Sequence, residues 1–225
     1  MQWGVGAWLD GRLAQHMAAE PGPIVQAQVA SRPPAPTPDD PPPPPPPPDP
    51  NWTERSAGEH FTLFVLSQEK RWKLGTVDVV DASGDKLEDM EDKLEVLLWQ
   101  QGMRYGDLVA VGTASCQGSL SQEQSRANRR SFRLVDWLRE ALATAGDAEP
   151  RKIYRLNLGR FRDCHGLSPE ETDEQRRVII LAIKPKNHGL GLEELKERLR
   201  LDLSQYHPLG FDPTEYSEFS LYEAR

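Results

Sequence analysis

Several residues have types and spacings that could do chemistry. Thr113, Ser115 and Gln117 follow the apolar run Asp107-Leu-Val-Ala-Val111 and Gly112, and hydroxyl and amide groups in such a loop can bind a ligand. The plainer reading is a turn stabilised by short polar side chains. Arg126, Arg129, Arg130 and Arg133 come next. A guanidinium there can grip a carboxylate bidentately, or the four can form an ordinary solvated helix start, and for Arg130 both readings stay open. Arg176 and Arg177 lead the apolar run that ends at Ile183. Strand alternation points them to opposite sides, so one at most lines a pocket, and the other pairs with an acid such as Glu174. Asp163-Cys164-His165 has the residue types of a thiol nucleophile or, with Cys116, of a metal site. Adjacent side chains rarely present themselves to each other, and no fourth metal ligand is evident. No catalytic residue, metal or cofactor is therefore assigned.

The elements that must position these groups are legible from periodicity. Strand-like runs occur at His60–Leu66, Gly75–Val80, Asp107–Val111, Lys152–Leu158 and Arg177–Ile183. A helix is expected from Lys86, where Leu87, Met90, Leu94, Leu97 and Leu98 recur at helical spacing behind Glu88, Asp89, Glu91 and Asp92, with Gly102 as its stop. A longer one is expected over Ser121–Ala145, with Phe132, Leu134, Val135, Leu138 and Leu142 on one face and Gly146 beyond its end. Leu192, Leu195 and Leu199 mark one more helix. The tail from Tyr206 is irregular, and its aromatics Tyr206, Phe211, Tyr216, Phe219 and Tyr222 are expected to pack over a sheet or helix edge. Trp72, Trp99 and Trp137 are read as core. Alternating strands and helices imply an α/β (α+β) two-layer sandwich with helices on one face of a mixed sheet.

Four segments follow: a leader over 1–30, a proline-rich stalk over 31–54, the sandwich over 55–188, and a helix and tail over 189–225. The leader is weakly ordered or one short amphipathic helix around Trp3, Val5, Trp8, Leu9 and Leu13. Pro41–Pro48 is unbroken, which excludes helix and sheet interior and implies a polyproline II rod. About 20 residues at ~3.1 Å each would span roughly 60 Å. The formal charge of −8 argues against a nucleic-acid partner. No apolar stretch is long enough to span a bilayer. The start lacks the basic residues and apolar core of a signal peptide, so either the protein is cytoplasmic or a membrane anchor lies upstream.

The stretch Leu108-Val-Ala-Val-Gly-Thr-Ala-Ser-Cys-Gln-Gly118 resembles the signature of OmpA-like domains, in which a strand runs into Gly-x-Thr-Asp-x-x-Gly. The helix then carries Arg129-Arg130-Ser131, the next strand ends at Gly159, and Gln175-Arg176-Arg177-Val178 leads the last strand, all in that family's order. The resemblance covers roughly residues 60–184. It implies a β-α-β-α-β-β core and a pocket in which an aspartate and an arginine grip the diaminopimelate of the peptidoglycan stem peptide. The family spacing of fifteen residues maps these onto Ser115 and Arg130, so the register holds while the acid has become serine. A charge-assisted hydrogen bond contributes about 1.5–3 kcal/mol and a neutral one about 0.5–1.5 kcal/mol. The resemblance thus implies a pocket formed by Arg130, Ser115, Thr113, Gln117 and Arg176, retuned or weakened for peptidoglycan. It also places Cys116 and Cys164 in loops at the same end of the sheet, where a disulfide and two free thiols both remain open.

The leading expectation is a non-catalytic module of the bacterial cell envelope, membrane-associated through an upstream anchor or a membrane-anchored partner, with peptidoglycan or another envelope component as ligand. Some OmpA-like proteins are stators coupled to ion channels, and a member of that kind would also have its anchor upstream. The rival expectation is a cytoplasmic protein-interaction scaffold that keeps the fold without binding peptidoglycan. A thiol enzyme built on Cys164 is a third, with no substrate to name.

Overall fold

The computed structural model describes residues 52–67, 69–101, 106–145, 151–163, 166–168, 171–187 and 189–224. The leader, the stalk up to residue 51, the stops at Gly102 and Gly146, Cys164 and His165 lie outside the described residues, as does the Trp99 side chain. The elements in chain order are β1 (Trp52–Ala57), β2 (Phe61–Leu66), β3 (Arg71–Trp72), β4 (Val79–Val80), α1 (Met90–Gln101), β5 (Leu108–Ala114), α2 (Leu120–Ala145), β6 (Ile153–Arg160), β7 (Ile179–Ile183), α3 (Leu192–Tyr206) and β8 (Ser220–Glu223).

Six strands form one mixed sheet in the order β1-β2-β7-β5-β6-β8, and β3 and β4 form a separate two-stranded ribbon. Only β5 and β6 run parallel, with α2 as their crossover, and every other neighbour is antiparallel. From β2 to β7 the order is the expected β-α-β-α-β-β, with α1 and α2 packed on one sheet face.

The strands bury both faces. Phe64 and Leu66, Leu108 and Ala110, and Ile180 and Ala182 point toward α1 and α2, where Met90, Leu94, Leu134 and Leu138 meet them. Their alternates Phe61, Leu63, Val65, Val109, Val111, Ile179 and Leu181 face α3 and the tail through Leu195, Leu199, Leu203, Phe211 and Tyr216. Coverage on both sides explains why β2 and β7 read as continuous apolar runs instead of alternating ones. The segment after residue 188 is thus a further layer laid over the second face of the two-layer core.

Several boundaries differ from expectation. β1 starts at Trp52, inside the segment assigned to the stalk, and the Trp52 indole N–H donates to the Lys93 carbonyl in α1 at 3.3 Å. Its middle residues Glu54, Arg55 and Ser56 are exposed because β1 is a sheet edge, where charge is tolerated and apolar patterning is lost. Of Gly75–Val80 only the last two residues are strand. α1 begins at Met90, inside the acidic cluster, with Glu91 and Asp92 in its first turn. Phe132 is 47 % exposed instead of facing the core, with the Arg155 guanidinium 3.5 Å from its ring centroid. The tail contributes the edge strand β8, paired to β6 from Tyr154↔Glu223 to Asn157↔Ser220.

Tyr216 is fully enclosed on the second face, its hydroxyl donating to the Gln175 carbonyl at 3.4 Å, and burial pushes the phenol far above its ordinary range. In the unfolded chain a tyrosine ionises near pH ~10. Because the folded state keeps the proton longer, this group's contribution is present below that pH and is lost as pH rises above it. Tyr216→Phe should therefore move the alkaline unfolding limb to higher pH, followed by circular dichroism. An unchanged limb would mean that this phenol is not the group that limits alkaline stability.

Candidate binding site at the end of β5

β5 carries the chain into a tight loop before α2. Gly112 sits where the helix crosses the strand. A side chain there would run into the Ala127 carbonyl oxygen and lie 2.9 Å from Ser131 Cβ. The pairing of β5 with β6 also shifts register between Gly112 and Thr113, re-aiming the residues that follow. Gly118 admits the Glu123 carboxylate, which would otherwise meet a Cβ at that position.

Thr113, Ser115, Arg130 and Arg176 are all buried, and Arg130 is wholly so. Its guanidinium donates to three backbone carbonyls: Thr113 at 2.8 Å, Lys73 at 2.8 Å and Thr76 at 3.1 Å. It therefore binds the turn between β3 and β4 to the end of β5. The guanidinium also lies 5.5 Å from the Trp72 ring centroid, and Trp72 stacks on Trp137 at 5.8 Å with planes 8° apart. The Arg133 guanidinium lies 4.8 Å from the Trp137 ring centroid, so each indole of the stacked pair carries its own cation. Burial and the neighbouring Arg126, Arg176 and Arg129 lower the Arg130 pKa to about 9, which still leaves it charged at neutral pH.

Arg176 donates to the Trp72 carbonyl at 3.2 Å and pairs with Asp173, which also takes the Arg71 Nε at 2.7 Å. Arg126 pairs with Glu123 one turn earlier on α2. Arg177 turns the other way, to the Leu209 carbonyl at 2.8 Å and to Glu174 at 3.2 Å. The site thus gathers four guanidinium groups, from Arg71, Arg126, Arg130 and Arg176, against two carboxylates, Glu123 and Asp173. Two buried oxygens there, Ser115 Oγ and Glu123 Oε2, have no hydrogen-bond partner among the described residues.

Thr113 donates its hydroxyl to the Arg177 carbonyl at 3.3 Å, and the Cys116 N–H donates to Gln175 Oε1 at 3.1 Å. Gln117 is exposed, and its amide donates to the Leu167 carbonyl at 3.2 Å across the mouth of the loop. Cys116 is buried and disulfide-bonded, while Cys164, the other cysteine in the sequence, lies outside the described residues. The structure therefore brings Thr113, Ser115, Arg130 and Arg176 into one buried region and leaves Gln117 at its rim. Sequence reasoning missed Glu123, Asp173, Gln175 and the ribbon residues that cover Arg130. Spacing could have found part of this set: Glu123, Arg126 and Arg130 recur on one helical face, and Asp173 and Arg176 stand three apart. Among the described residues no group of histidine, cysteine and carboxylate is placed to hold a metal ion, and no helix is long and apolar enough to cross a membrane.

No family model and no curated protein matches the chain. Among solved structures it is similar to the cell wall anchor of the T6SS from Pseudomonas aeruginosa, at 16 % identity over 60 % of this chain and 88 % of that one, with a TM-score of 0.39. It is also similar to the periplasmic domain of MotB, at 12 % identity over 72 % and 87 % of the two chains, with a TM-score of 0.38. At these TM-scores neither likeness bears on what this chain binds.

Proposed function

We propose that this protein is a non-catalytic binding module of the cell envelope whose site takes a carboxylate-bearing ligand, the stem peptide of peptidoglycan. The observation that carries this reading is the charge imbalance at the end of β5, where guanidinium groups outnumber carboxylates by two. A buried excess of positive charge favours an anion, and guanidinium geometry favours a carboxylate. The register of Ser115 and Arg130 on the OmpA-like signature supports the choice of stem peptide. Disulfide-bonded Cys116 suits an oxidising compartment. Ser115 leaves the site without the acid that would hold the ligand's ammonium group, so affinity is weak and recognition rests on the carboxylate.

One observation favours a second reading, that of an interaction scaffold. Arg130 is closed in by the turn after β3, and three protein carbonyls already occupy its guanidinium. A ligand reaches it only when that turn lifts.

Sedimentation of the full chain with insoluble peptidoglycan sacculi separates the two. The binding reading expects wild type to sediment and Ser115→Asp to sediment more strongly, because a carboxylate at 115 restores a partner for the ammonium. Arg130→Lys should release the chain, with its thermal unfolding recorded to exclude loss of fold. If neither wild type nor Ser115→Asp sediments, the binding reading is wrong and the scaffold stands.

A further inference from the structure

A second cationic site lies on the other sheet face, in a cleft of about 230 Å³ between α3 and the segment that leads into β8. Arg162 and Arg200 line it together with Ser204, Thr214, Ser217 and Phe219. Arg162 is held by its own backbone N–H, which donates to the Glu215 carbonyl at 2.7 Å, and by Nε, which donates to the Tyr216 carbonyl at 2.6 Å. Its two terminal nitrogens are left without a partner among the described residues. Arg200 rests on the Phe219 ring, 5.6 Å from the centroid, and forms no ion pair among the described residues. This contrasts with its neighbours on α3: Lys196 pairs with Glu193 and Arg198 with Glu194, while Glu197, three residues before Arg200, is not engaged by it. Arg200 is stacked over the cleft instead of being neutralised along the helix.

The single acid in the lining, Glu218, is committed elsewhere, because its Oε2 accepts from Asn157 Nδ2 at 2.9 Å. Ser217 Oγ accepts the Arg160 N–H at 2.9 Å, which leaves its own proton to donate. The Thr214 hydroxyl donates to Asp212 at 2.7 Å, so the lining offers two guanidinium groups and the hydroxyls of Ser204 and Ser217 against one carboxylate, in a chain whose formal charge is −8. A small oxyanion with several acceptor oxygens matches that donor set best. The volume lies below the ~300–1,000 Å³ usual for drug-sized ligands and suits a single head group.

We propose that Arg162 and Arg200 form a binding cleft for the phosphate group of a small phosphomonoester, separate from the buried site at the end of β5. Calorimetric titration of the full chain with inorganic phosphate and with glycerol phosphate tests it, with acetate as the comparison. Saturable binding of both phosphates is expected, weakened about tenfold or more in Arg200→Ala and in Arg162→Lys, and unchanged in Lys196→Ala, a cation of the same helix outside the lining. Arg200 is exposed on α3, so its variant keeps the fold, and circular dichroism verifies this for both arginine variants. Absence of saturable binding to wild type, equal affinity in Arg200→Ala, or acetate binding as tight as phosphate would each overturn the proposal. Because the buried site is read by sacculus sedimentation and this one by phosphate titration, either can fail without the other.

Discussion

Arg130→Met should lower the free energy of unfolding by about 2–4 kcal/mol, read by urea denaturation. The substitution keeps most of the side-chain volume and removes the charge, so its cost reports hydrogen bonding and not a cavity. Three carbonyls lose their donor: that of Thr113 is buried, and those of Lys73 and Thr76 are part-buried. The orphaned buried acceptor on Thr113 costs roughly 1–3 kcal/mol, the two part-buried ones add less, and the contact with Trp72 is lost as well. One effect opposes this. Burial has lowered the guanidinium's pKa to about 9, so the wild-type protein already bears a cost for holding the cation there, and methionine relieves it. The orphaned carbonyls outweigh that relief because methionine can serve none of them. Arg129→Ala, at an exposed neighbour on the same helix, should stay within about 0.5 kcal/mol. Equal effects at 129 and 130 would contradict the account of Arg130 as the link between α2, β5 and the β3–β4 ribbon.

Gly112→Val should be at least as damaging, about 3 kcal/mol or more, because the obstacle is backbone. A Cβ at 112 meets the carbonyl of Ala127, and no rotamer change can move that atom. Only displacement of α2 makes room, and displacement carries Arg126 and Arg130 away from the loop after β5. The variant should therefore lose stability and sacculus binding together, whereas Ser115→Asp changes binding alone. Gly191→Ala is the control, since nothing lies near its Cβ and its φ is −65°. It should cost less than about 1 kcal/mol.

How far these residues were legible differs from element to element. Helix α2 and strand β5 were readable because each carries an unbroken pattern, and the fifteen-residue step from Ser115 to Arg130 came from the resemblance to OmpA-like domains. That step locates an arginine along the chain and says nothing of what covers it. The cover comes from Lys73 and Thr76, more than fifty positions earlier, in a ribbon whose strands are two residues long and have no readable period. β1 was hidden for a different reason. Thr-Glu-Arg-Ser between Trp52 and Ala57 has no apolar alternation, because an edge strand that faces solvent along its middle does not need one. The layer formed by α3 and the tail left a usable sign in β2, where six consecutive buried residues leave no face for solvent.

The edge position of β1 also gives the domain a mechanical direction. The strand is held to the sheet by a single neighbour, from Trp52↔Leu66 to Ala57↔Phe61, and among the described residues no strand pairs with its other side. A pull delivered through the residues before Trp52 and aligned with the strand would strain all six pairs at once. The same pull turned across the strand would open them one by one, starting with Trp52 and its bond to the Lys93 carbonyl. Rupture under tension is governed by the unfolding rate and not by the equilibrium stability. Tolerance to tension should thus depend on the angle of the tug, with Trp52 as the first fastener to give.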